Sequence, residues 1–207
     1  MSYIARAGRA LRETADLVRD KGVGAGLRLL REKLFAASTS LWFERPAAEG
    51  PVTLPAGMTI AKVVAADAER YRADLVRAGA ATELRHFKEG ATAYVAYWQG
   101  EPVGAGWCFP HSPLVRRLGV RGPAVYLGSY YVRESARGHG IYPALLRAMC
   151  RDLPPPTRVF LSTALHNRPS QRGVAKAGVT CRGRLRVVVV AGVMVYCRVR
   201  PGGVPEG

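Results

Sequence analysis

The chain has 207 residues, of which 48% are apolar and 22% charged. That length and balance give one domain a real core and exclude a disordered chain. The formal net charge of +16 favours anionic partners. It admits nucleotide phosphates, nucleic acid and an acidic membrane surface without choosing among them.

The first 45 residues differ from the rest. Ile4, Leu11, Ala15 and Val18 recur at helical spacing with arginines between them, and after a break at Gly22, Gly24 and Gly26 a second stripe follows at Leu27, Leu30 and Leu34. Two helices are expected, and the segment then closes with Leu41-Trp42-Phe43-Glu44 and a loop rich in Pro, Ala and Gly up to Gly57. Their basic faces could meet an acidic membrane surface, although Glu13, Asp16, Asp20 and Glu32 dilute the charge. No strand precedes Gly22-Val-Gly24-Ala-Gly26, so it reads as a break between helices and not as a phosphate loop.

From Met58 the rhythm changes. Residues 58–64 read as a strand, 67–78 and 82–89 as helices, and 91–98 and 103–109 as strands joined by the turn Gln99-Gly100-Glu101-Pro102. A Pro/Arg/Gly loop spans 110–123. A strand is expected at 125–132, a helix at 143–153 stopped by Pro154 to Pro156, a strand at 158–163 and a helix at 168–176 ending on Gly178. A hairpin of 185–190 and 193–199 closes the chain. Its apolar run, Val187 to Cys197, is about half of what a membrane helix needs, and residues 1–9 hold no apolar segment of signal-peptide length. Cys108, Cys150, Cys181 and Cys197 form no C-x-x-C pair and sit in apolar surroundings, which reads as reduced thiols, no metal site and a cytoplasmic protein.

The chemistry concentrates where the strand at 125–132 runs through a glycine loop into a helix. The first turn of a helix leaves backbone N–H groups without internal partners. Gly138 and Gly140 let an anion reach that backbone, and Arg137 adds a fixed positive charge. Pro143 suits the first helical turn. Neither G-x-x-x-x-G-K-[ST] nor a full G-x-G-x-x-G is present.

Arg137-Gly138-His139-Gly140-Ile141-Tyr142 resembles the acetyl-CoA motif of the GNAT N-acetyltransferases, [RQ]-x-x-G-x-[GA]. Tyr130-Tyr131-Val132 is similar to the strand that precedes it, and Asn167-x-x-Ser170 with Lys176-Ala177-Gly178 resembles the second signature of the family. The resemblance implies an α/β GNAT fold, a mixed and mostly antiparallel sheet flanked by helices. It divides the chain into a helical N-terminal extension and linker at 1–57, the acyltransferase domain at 58–200 and a tail at 201–207. It implies acetyl-CoA as acyl donor and no metal, with Tyr131, Val132, Arg137, Gly138, His139, Gly140, Ile141, Tyr142, Asn167 and Ser170 holding the donor. The expected reaction is direct attack by a primary amine of a small molecule, such as an amino sugar.

Three positions depart from the pattern. Tyr142 replaces a small residue, Val174 stands where many members carry the tyrosine that protonates the departing thiolate, and Val179 replaces an aromatic. Ser129 stands where an acidic residue often serves as base. An ammonium acceptor still has to lose a proton. Tyr130, Tyr131 and His166 are the first candidates by position, followed by Glu83, His86 and His111. Two other functions fit the residues: a basic protein associated with RNA or tRNA, and a CoA-binding regulatory module that has lost catalysis. Monomer and homodimer both remain open.

Overall fold

The computed structural model describes residues 35–46, 52–190 and 193–201. The two helices expected before Phe35 lie outside the described residues. Eight strands form one sheet: β1 (Phe35–Pro46), β2 (Met58–Val63), β3 (Thr92–Trp98), β4 (Glu101–Phe109), β5 (Ala124–Val132), β6 (Arg158–Ala164), β7 (Thr180–Val190) and β8 (Val193–Arg200). Their order across the sheet is β2-β3-β4-β5-β6-β1-β7-β8. Every neighbouring pair is antiparallel except β5 and β6. Among the described residues there are four α-helices: α1 (Arg72–Arg77), α2 (Pro113–Arg117), α3 (Ile141–Arg151) and α4 (Arg168–Lys176).

The segment that departs most from expectation is β1. The helical stripe of Leu27, Leu30 and Leu34 suggests more helix, yet Phe35–Pro46 is a strand inside the sheet. It pairs β6 from Ser40↔Ala164 to Pro46↔Arg158 and β7 from Phe35↔Val190 to Glu44↔Thr180. Two neighbours satisfy its backbone on both sides, and that outweighs the weak β preference of its alanines and serines. The sheet therefore begins upstream of residue 58. The expected helix at 67–78 is reduced to α1 and a 3-10 turn at Ala65–Asp67, and the one at 82–89 is a 3-10 segment, Ala81–Glu89. The loop at 110–123 contains α2, started by Pro113 in its first turn.

Alternation along the strands divides the apolar side chains between the two faces of the sheet. On one face, Tyr94, Ala96, Val125, Leu127 and Leu161 pack with Leu145, Leu146 and Met149 of α3 and Val174 of α4. On the other, Val63, Ala93, Val95, Ala105 and Trp107 pack with Leu75 of α1 and the ring of Phe87. A third cluster joins Trp42 and Phe160 to Val115 of α2 and Leu185 of β7. Asp152, just past α3, ties that helix to the far strands: it accepts from Tyr94 and pairs with Lys62 at 2.7 Å. Burial pushes its carboxyl up, but the hydrogen bonds from Lys62 and Tyr94 outweigh this and hold it below the usual carboxylate range.

Candidate active site

The parallel pairing of β5 and β6 is short, from Ala124↔Arg158 to Tyr126↔Phe160. Beyond it a cavity of about 540 Å³ lies between the end of β5, the start of α3 and the first turns of α4. Gly138 (φ 87°) and Gly140 (φ 75°) make the turn from β5 into α3 in the left-handed region that favours glycine. A Cβ at Gly138 would meet nothing within 4 Å, so the turn is open on that side. No side chain caps α3. Its first amides and its dipole are free to face an anion at the cavity wall. Arg137, Arg172 and Lys176 are the charged side chains on the wall, and no carboxylate lies among the described residues lining it. Every charged side chain on the wall is therefore a cation, which suits a pyrophosphate.

Most residues expected to hold a donor are brought to this wall: Tyr131, Val132, Arg137, Gly138, Gly140, Ile141, Tyr142, Asn167 and Ser170. His139 is not. Its ring lies 4.2 Å from that of Trp98, turned away from the cavity. The Asn167 side chain accepts from the Ser170 amide at 3.1 Å, so it caps α4 and fixes the end of the wall. Arg172 and Lys176 were not anticipated, although their spacing of four on α4 would have placed both on one helical face.

Tyr142 does not close the loop. Its ring lies against Gly173 of α4, where a Cβ would come within 2.3 Å of it. The absent side chain at 173 makes room for the extra bulk at 142. The hydroxyl accepts from Ser170 Oγ at 3.4 Å, and burial pushes it up to about 12 against that hydrogen bond. Val174, one residue on, is buried beneath the wall.

A bulge precedes the adjacent tyrosines Tyr130 and Tyr131 of β5. Ser129 has φ 52°, and the register with β4 slips between Ala105 and Trp107. Val125 and Leu127 face α3 before the bulge, and Tyr130 faces it after. The Tyr130 ring packs edge-on to Tyr142 at 5.0 Å, and its hydroxyl is buried with no partner among the described residues. Burial raises that phenol well above its ordinary value. Tyr130 is therefore a wall and core residue, a poor proton acceptor. Tyr131, 41% exposed, turns to the opposite face, where its ring covers Gly79 after α1. His166 is exposed in the turn after β6 and does not line the cavity, although its neighbour Asn167 does, and His111 is also exposed.

On the face that Tyr131 shares, Ser129 Oγ lies 3.4 Å from His86 Nε2. The other ring nitrogen, Nδ1, lies 3.1 Å from Glu89 Oε2. Sequence position suggested His86 only as one option among several. The contact depends on the bulge and joins residues 43 positions apart, so nothing in the local sequence points to it.

The sequence model of the acetyltransferase (GNAT) family matches residues 61–178. No curated protein matches the chain. Among solved structures, a GCN5-related N-acetyltransferase from Kribbella flavida is 17% identical with a TM-score of 0.52, covering 79% of this chain and 62% of that one. A Drosophila protein is 16% identical with a TM-score of 0.51, covering 80% and 56%. A conserved protein of unknown function from Staphylococcus epidermidis is 14% identical with a TM-score of 0.50, covering 80% and 66%. The chain thus spans less than two thirds of each of these structures, and at such identities the likeness speaks for the fold alone.

Proposed function

The chain belongs to the acetyltransferase (GNAT) family, and from that premise we propose that it transfers an acetyl group from acetyl-CoA to the primary amine of a small molecule. One observation carries the reading: the uncapped start of α3, with Gly138, Gly140 and Arg137, opens on a cavity lined by three cations and no carboxylate. The donor's pyrophosphate would lie on the α3 amides, and Arg172 and Lys176 would hold its remaining charge. The parted ends of β5 and β6 would leave the Tyr131 and Val132 backbone free to orient the acyl arm. Acetyl-CoA supplies an activated acyl group. The chain's own contribution is to place the amine beside it and to move protons. Tyr142 is a phenol on the wall, against Gly173 of α4. Burial makes it a weaker acid than an ordinary phenol, so it would offer the departing sulfur a hydrogen bond and not a full proton. The proposed acceptor is a small amine such as an amino sugar.

Acetyl-CoA binding by thermal shift and calorimetry, with wild type beside Gly140→Asp, tests the reading. Ligand at about 100 times its Kd adds about 2.7 kcal/mol of stability, or roughly 5–10 °C for a domain of this size. The variant should lose that shift, since its carboxylate faces the pyrophosphate. A wild type that does not shift refutes the proposal.

A further inference from the structure

His86 sits in the 3-10 segment Ala81–Glu89, and its ring is held on two sides by β4. Trp107 meets it edge-on at 5.3 Å and Phe109 at 4.9 Å, which leaves the side chain 13% exposed. Both aromatic contacts act on the ring's body and leave its two nitrogens to polar partners. Nδ1 faces Glu89 Oε2 at 3.1 Å, and Nε2 faces Ser129 Oγ at 3.4 Å. A carboxylate on Nδ1 selects the tautomer with Nδ1–H, so the lone pair lies on Nε2, aimed at the serine. Ser129 is exposed at the top of the β5 bulge. Two residues further along the same face, Tyr131 reaches the cavity wall. A nucleophile or relay hydroxyl, a base and a carboxylate that orients the base form a pattern recognised by geometry and not by sequence order.

We propose that Ser129, His86 and Glu89 form the proton-accepting end of the acceptor site, which takes a protonated primary amine. The inference rests on the acetyl-transfer reading above and supplies the base that Tyr130, by its burial, does not. The ammonium group donates one N–H proton to Ser129 Oγ as the serine passes its own proton to His86 Nε2. The imidazolium is stabilised by Glu89. The freed nitrogen lone pair forms the bond to the thioester carbonyl carbon and the C–S bond breaks. The second proton lost by the amine leaves with the sulfur as CoA thiol, and His86 returns the first to solvent. Around His86, β4 presents Trp107 and Phe109 and β5 presents Ser129, none of them charged. Among the described contacts Glu89 is the one charged partner. A protonated His86 therefore stops the relay without any second group on these elements taking its place.

The test compares wild type, His86→Gln, Ser129→Ala and Glu89→Gln in acetyl transfer from acetyl-CoA, followed by thiol release between pH 6 and 9. The acceptors are putrescine, ethanolamine and spermidine, which are mostly ammonium ions in this range, and hydroxylamine, which is largely neutral and needs no base to free its lone pair. The uncatalysed reaction is subtracted. His86→Gln should lose on the order of a hundredfold or more in kcat/KM on the three ammonium acceptors. Its rate on them should instead follow the small fraction of free amine, rising more steeply with pH than wild type, and it should lose far less on hydroxylamine. Its acetyl-CoA thermal shift should match wild type. Ser129→Ala, an exposed change that leaves the aromatic clamp intact, should show the same selectivity, and Glu89→Gln a smaller one. Equal losses on all four acceptors, or an unchanged pH profile in His86→Gln and Ser129→Ala, overturn the proposal. A wild type that binds acetyl-CoA but acetylates none of the four also overturns it and leaves the donor site standing. A wild type that fails to bind acetyl-CoA removes both readings together.

Discussion

Tyr130 and Tyr131 are adjacent, identical in kind and equally placed in the motif, yet they do different things. In an undisturbed strand the alternation begun by Val125 and Leu127 would turn Tyr131, and not Tyr130, toward α3. The bulge at Ser129 adds one residue and reverses the phase. Serine has no marked preference for a left-handed backbone, so the reversal leaves no signature in the sequence. By contrast, the glycines at 138 and 140 were legible, because a strand-to-helix turn that exposes amides has few other solutions. The phase reversal also makes the Tyr130 hydroxyl a liability, buried without a partner among the described residues. An unsatisfied buried hydroxyl costs about 1–3 kcal/mol, which deleting it recovers. Tyr130→Phe should therefore be as stable as wild type or up to about 1 kcal/mol more stable in urea unfolding, with acetyl-CoA binding unchanged. A loss of more than about 1 kcal/mol would show that the hydroxyl is satisfied. A loss of turnover with unchanged binding would return Tyr130 to the catalytic group.

At the scale of elements, the order from β2 to β8 was read from hydrophobic periodicity and turn residues, and the family pattern reinforced it. β1 was not legible. Its backbone hydrogen bonds run to strands more than a hundred residues away, and its own alanines and serines carry little β preference. What the sequence did show was Leu41-Trp42-Phe43, and these are now explained. Leu41 and Phe43 enter the core under α3, while Trp42 stacks on Phe160 at 5.2 Å on the other face. Glu44 accepts from Arg158 Nε at 2.7 Å, and Arg45 Nη1 donates to the Ala177 carbonyl at 2.6 Å, just past α4. β1 therefore supports the helix that carries Arg172 and Lys176. A fragment beginning at residue 58 would leave β6 and β7 with open edges and an uncovered core. It should fail to melt cooperatively by circular dichroism, whereas one beginning at residue 35 should melt. In the full chain, Trp42→Ala should cost about 3–5 kcal/mol in urea unfolding. A fragment from residue 58 that folds and binds acetyl-CoA would show that the sheet closes without β1.

For the whole molecule, the +16 charge was legible as a preference for anions and silent on where they bind. The cavity with its three cations is the place proposed for one, and the surface charge has a second consequence. Only five of the 31 basic residues are lysines, and arginine keeps its charge at any pH a folded protein meets. Raising the pH thus relieves little of the self-repulsion, and the response to alkali falls to the buried acids. Burial pushes the Cys150 thiol up to about 11, against the opposing charge of Arg45, and Cys108 up to about 12, against Lys62. Their ordinary value is 9.0. Below that value both states hold these protons and stability does not change. Between pH 9 and 11 the unfolded chain releases them while the folded chain keeps them. The unfolded state then binds fewer protons, so stability falls as pH rises, by about 1.4 kcal/mol per pH unit for each thiol. Tm should therefore be level from pH 7 to 8.5 and decline above 9. Cys150→Ala should begin lower, because it leaves a cavity, but decline less steeply by the share of one thiol. A variant that falls in parallel with wild type above pH 9 would show that Cys150 ionises as freely in the folded protein as in the unfolded chain.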